Sequence, residues 1–136
     1  MKTTLFCILI LLLFNKGFSQ KQIEPNINLI NFYSPEYINQ LKQNNSDLIL
    51  YLNYYSTKGF IIENTQKDVS TYPNINEFKR GDLKNKSEEF NILEYYIQIS
   101  DKPQYFTNDK GQIIMLPAKE KFMTDFNKYR DERKND

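Results

Sequence analysis

The chain contains no histidine and no tryptophan, and its single cysteine, Cys7, sits inside an apolar run close to the start. Without imidazole, Ser-His-Asp and Cys-His arrangements cannot be assembled. Zinc sites built on imidazole or paired thiolates fail for the same reason, so no metal site is expected. Glycine is scarce as well: Gly17, Gly59, Gly81 and Gly111 are isolated. Neither a phosphate-cradling loop nor a dinucleotide-binding turn can be built from them, and no cofactor is expected. The Ser-x-x-Lys spacing of serine–lysine acyl enzymes does not occur. Charge of one sign is also missing, since 18 Lys and Arg face 17 Asp and Glu with no run of either. A surface that tracks a nucleic-acid backbone needs clustered cations, so nucleic acid is not an expected partner.

Leu5 to Phe14 is the one long apolar run, preceded by Lys2 and followed by Gly17-Phe18-Ser19. A membrane span needs roughly 20 apolar residues, and this run is about half that. The pattern predicts a secretory signal peptide over residues 1–19, cut after Ser19. The expected product is periplasmic or extracellular, has no transmembrane segment, and loses Cys7 with the leader. Removing 19 of 136 residues leaves 117, enough for one domain that buries a core without disulfides. Loss of Lys2 and Lys16 moves the formal charge from +1 to −1.

Residues 20–30 read as an extended, flexible arm. Ser34-Pro35-Glu36 combines a cap, a first-turn proline and an acidic residue, which predicts a helix over 35–44. Leu48 to Tyr55 has the composition of a strand, but Leu48, Tyr51, Leu52 and Tyr55 recur at helical spacing, with Ser46 as cap and Gly59 beyond the end. Helix is the expectation and strand the alternative. Phe60 to Glu63 reads as a short strand. Residues 64–89 form a polar excursion in which Ile75 and Phe78 fit one helical turn.

Leu93, Tyr95, Ile97 and Ile99 alternate with Glu94, Tyr96 and Gln98, the period of a half-buried strand. With turns at 100–103 and 108–111, residues 90–116 are expected to form an antiparallel meander. The loop Asn108-Asp109-Lys110-Gly111 suits a type I turn with a left-handed glycine, which pairs Asn108 with Gln112. A tighter loop would exchange Ile113 and Met115 for Ile114 and Leu116 on the buried face. From Pro117 an amphipathic helix presents Ala118, Phe122, Phe126 and Tyr129, ahead of a charged, frayed tail from Arg130. The expected fold is α+β: two N-terminal helices, an antiparallel sheet of about four strands, and a C-terminal helix packed on one face.

Carboxylates are the remaining acid–base groups, at Glu88, Glu89, Glu94, Asp101 and Asp109. Two of them 5–10 Å apart suffice for glycoside cleavage, but turns favour Asp101 and Asp109 for backbone reasons. Lys110 stands where a calcium loop needs oxygen. Tyr54-x-x-x-Lys58 matches a carbonyl-reductase pairing without the nucleotide fold that gives it meaning. All ten tyrosines lie beyond the leader. On the predicted strands, Glu94, Tyr96, Gln98, Tyr105 and Thr107 share one face, the candidate site for a protein or carbohydrate partner. The expected function is a small exported non-catalytic binding module. The alternatives are a secreted hydrolase using carboxylates alone and an inhibitor or immunity-type protein.

Overall fold

The computed structural model describes residues 23–65, 68–81 and 89–135. The leader expected over 1–19, with Cys7, the first residues of the expected arm, and Glu88 of the excursion lie outside them.

Three asparagine and serine caps set the helical part. Asn26 begins α1 (Ile27–Phe32), its Oδ1 accepting from the Leu29 N–H at 3.0 Å. This helix lies in the stretch read as an extended arm, and it corrects that reading. Its anchor is tertiary: Asn26 Nδ2 donates to the Asn53 carbonyl and to Ser56 Oγ. No local periodicity announces such bonds. Ser34 caps α2 (Pro35–Asn44), with Pro35 at its first position and Ile38 and Leu41 turned inward. Asn45, rather than Ser46, caps α3 (Ser46–Thr57) through the Leu48 N–H at 3.0 Å.

The helix α3 is the centre of the core. Ile49, Leu50, Leu52, Asn53, Tyr54, Tyr55 and Ser56 are all buried, so it is covered on nearly every side. A helix apolar all round is a buried helix, which is why its composition imitates a strand.

The sheet has three strands: β1 (Ile61–Asn64), β2 (Gln104–Thr107) and β3 (Gln112–Leu116), antiparallel in the order β1-β3-β2. Thr107 lies opposite Ile113, and the Asn108 N–H donates to the Gln112 carbonyl at 3.2 Å. Gly111 has φ +70°, the left-handed position of the bulged loop. This register buries Ile114 and Leu116 and leaves Ile113 and Met115 on the other face.

The expected sheet of about four strands has three, and the meander expected over 90–116 is corrected at its first member. Residues 90–99 do not pair with β2. Asn91 caps a single 3₁₀ turn at Ile92–Glu94. The extended chain beyond it pairs briefly with residues 78–80 through Arg80 N–H to Glu94 O (2.8 Å) and Tyr96 N–H to Phe78 O (2.7 Å). Leu93, Tyr95 and Ile97 are buried as alternation predicts. Period two reports extended backbone between core and solvent, and it does not specify which neighbour completes the hydrogen bonds. Ile75 and Phe78 share one 3₁₀ turn.

The final helix, α4 (Lys119–Asn135), continues through the stretch expected to fray. Lys134 reaches Asp47 at 2.9 Å. Its ring contacts are with α3: Phe122 lies 5.6 Å from Tyr51 and 5.2 Å from Tyr54, Phe126 is 5.4 Å from Tyr51, and Tyr129 is 5.3 Å from Tyr54. Edge-on and tilted rings at these separations add about 0.5–1.5 kcal/mol per pair to simple burial. Gly59 makes the close approach possible. A Cβ there would stand 2.8 Å from Phe122 Cε2 and 2.9 Å from the Tyr55 backbone.

Candidate binding face

The β-register defines two faces. Ile62, Phe106, Ile114 and Leu116 point into the core, while Ile61, Met115 and Tyr105 form one row on the outer face and Glu63, Ile113 and Thr107 the next. Ile61 is 55% exposed and Tyr105 41%. Tyr72, from the loop before the first 3₁₀ turn, stacks on Tyr105 with ring centroids 5.5 Å apart. Behind it, Pro73 O accepts from the Thr107 N–H at 3.0 Å, so this loop borders β2. Asp109 holds the same loop from the hairpin, accepting from Asn74 Nδ2 at 2.8 Å and Asn76 Nδ2 at 2.7 Å. The outer face is thus a row of Ile, Met and two stacked Tyr on a fixed frame.

Among the five residues expected to share a face, Tyr105 and Thr107 lie together on this outer surface. Tyr96 is exposed, and Gln98 is exposed with its carbonyl accepting from Gln104 Nε2 at 2.7 Å. Both belong to the segment paired with residues 78–80 rather than to the sheet. Glu94 is buried in the 3₁₀ turn, with its carboxylate 3.6 Å from Lys79 Nζ. A helical turn breaks the alternation there and rotates the side chain inward. Burial pushes the adjacent Tyr95 phenol up, with Glu94 and Asp109 adding to the effect.

Arg80 was missed in the sequence. Its guanidinium carbon lies 4.4 Å from the Tyr96 ring centre and 5.7 Å from that of Phe32. It falls in a polar stretch with no periodicity, and nothing in the pattern connects it to residues 32 or 96. Tyr72 lies in the same polar stretch, where nothing in the pattern connects it to Tyr105.

A separate cavity of about 450 Å³ opens between the chain before α1, the end of α3 and the end of α4. Ile23, Glu24, Asn26, Leu50, Asn53 and Tyr129 are among its lining residues. Lys58 and Arg133 flank the Tyr129 ring at 5.3 and 5.5 Å. The amides of its floor are occupied internally. Asn53 Oδ1 accepts from Asn26 N–H at 2.8 Å, and Asn53 Nδ2 donates to Glu24 O at 2.8 Å. Glu24 is the only carboxylate among the described lining residues, and it pairs with Lys42. Among the described residues, no group of three or more Asp, Glu, Cys or His is placed to hold a metal ion, and no helix is long and apolar enough to cross a membrane.

Compared with known proteins, the chain matches no family model, no curated protein and no solved structure. Any functional reading therefore rests on the residues themselves.

Proposed function

We propose that the protein is a small exported binding module that holds a protein partner, in the cell envelope or outside it, against the outer face of its sheet. The observation that carries this reading is the row Ile61–Met115–Tyr105 with Tyr72 stacked beside it, uncovered among the described residues. Two tyrosines fixed by stacking present contact area at low entropic cost, and aromatic and methionine side chains are enriched where proteins meet. A protein partner fits this row better than a sugar does, because Ile61 and Met115 offer aliphatic surface rather than hydrogen bonds. Export follows from residues 1–19, read as a cleaved leader.

The test places a photo-reactive phenylalanine at position 105 and, separately, at Lys121 on the exposed side of α4, followed by irradiation in envelope extract. The reading expects one discrete protein adduct from position 105 and none from position 121. Identical adduct patterns from both positions, or a carbohydrate adduct alone, would contradict it. Sequencing the amino terminus of the exported protein tests the leader, which should leave Gln20 first.

A further inference from the structure

Among the described residues, Arg80 is a partly exposed cation with no carboxylate paired to it. Its Nε is buried and has no hydrogen-bond partner. Among the described residues no acceptor or carboxylate meets its guanidinium, although the residue is only partly exposed. Of its three side-chain nitrogens only Nε is both buried and without a partner. The plane is held by Tyr96 and Phe32, and its charge is felt at the Tyr33 and Tyr55 phenols, where it opposes the upward push of burial. Tyr33 in turn lies 4.9 Å from Tyr37, which is 39% exposed. Residues from the α1–α2 junction, the 78–80 segment and the 95–99 segment thus converge on one guanidinium.

Contact with ring faces explains why the plane is held, but it satisfies none of the N–H groups in their own plane. The planar guanidinium is pre-organised, so little side-chain freedom is lost for each hydrogen bond it forms. What remains is the planar fork of a partly exposed guanidinium with two rings beside it. That geometry matches the two oxygens of a planar carboxylate. A tetrahedral phosphate would be matched less well, because its further oxygens would face ring faces and aliphatic stem instead of donors.

We propose that Arg80, clamped by Tyr96 and Phe32, is a receptor for a carboxylate group, such as an acidic side chain or chain terminus presented by a partner. This site uses none of the outer-face residues Ile61, Tyr72, Tyr105 and Met115, so either proposal stands if the other fails.

Arginine Nε–H groups are resolved individually in a nitrogen–proton correlation spectrum, and the chain has only three, Arg80, Arg130 and Arg133. Arg130 and Arg133 also lie over rings, Phe126 at 6.0 Å and Tyr129 at 5.5 Å, which makes them internal controls. The purified protein is titrated with benzoate, with benzamide as its neutral counterpart and with inorganic phosphate. The expected result is a saturable shift of the Arg80 signal with benzoate alone, while the Arg130 and Arg133 signals stay in place. Arg80→Lys keeps the charge and loses the planar fork, so benzoate affinity, followed there on the Tyr96 backbone amide, should fall by about tenfold. Tyr96→Ala, which removes the clamp, should weaken it by a smaller factor. Equal movement of all three arginine signals, an equal response to benzamide, a phosphate response without a benzoate response, or undiminished binding by Arg80→Lys would each overturn the assignment.

Discussion

Replacing Phe122 with alanine should remove the interlock between α4 and α3. The ring is fully buried and lies 5.6, 5.2 and 6.1 Å from the rings of Tyr51, Tyr54 and Tyr55. Truncating a buried phenylalanine costs about 3–5 kcal/mol, a figure that already includes its lost ring contacts and the cavity left behind. Set against a mid-range domain stability of ~10 kcal/mol, that is a third to a half of the total. At this chain length the melting temperature should drop by roughly 12–20 °C. Urea unfolding followed by circular dichroism measures the loss, and an unchanged slope would show that the unfolded state is not the source. Met123, the next residue, is 37% exposed, and Met123→Ala should stay within about 0.5 kcal/mol of the parent. Gly59→Ala approaches the same ring from the other side and should cost about 1–3 kcal/mol. In the Phe122→Ala background only part of that cost should disappear, because the Tyr55 backbone still stands 2.9 Å from the new Cβ. Equal effects of Phe122→Ala and Met123→Ala, or a loss below about 1 kcal/mol for Phe122→Ala, would refute the reasoning.

Three further outcomes are expected. Asn53→Ala removes both side-chain bonds that tie Asn26 N–H and Glu24 O to α3, and should destabilise by about 1–3 kcal/mol. Amide exchange at Leu29 should then accelerate ahead of global unfolding. Tyr33, Tyr51, Tyr54, Tyr55 and Tyr95 have phenols pushed above the usual value of 10.0, chiefly by burial. The folded state therefore keeps its protons where the unfolded chain loses them, so this contribution is intact below pH 10 and falls away as pH rises beyond it. Stability measured across that range should decline, and Tyr55→Phe should reduce the decline while costing about 0.5–1.5 kcal/mol at neutral pH through its lost bond to Ile97 O. Gly111→Ala, forced to φ +70°, should cost about 1–2 kcal/mol and leave the fold intact. Proton chemical shifts of Gln112 and Ile113 report whether the hairpin register survives.

Local chemistry made several elements legible. Ser34-Pro35 marks the start of α2 because cap and proline act within four residues, and the Asn108–Gly111 loop specifies its own register because only glycine takes the left-handed position cheaply. The aromatic face of α4 follows from its 3.6-residue period. What was not legible depends on partners distant in sequence. The helix at Ile27–Phe32 is held by Asn53 and Ser56, and residues 94–96 pair with residues 78–80 across a stretch without periodicity. The candidate face was split for the same reason. Tyr105 and Thr107 lie on a true strand, whereas Glu94 sits in a 3₁₀ turn that redirects it to Lys79. Arg80 had no sequence signal at all, since its meaning comes from Phe32 and Tyr96, 48 residues before it and 16 after it.

Two methionines report directly on whether the outer sheet face is the surface that meets a partner. Met115 lies on the central strand of that face, and Met123 is exposed on α4. Peroxide oxidation of each is followed by mass spectrometry, with and without the partner captured from position 105. The partner should slow oxidation of Met115 several-fold and leave Met123 unchanged. Unchanged oxidation of Met115, or protection of Met123 instead, would show that the partner binds elsewhere.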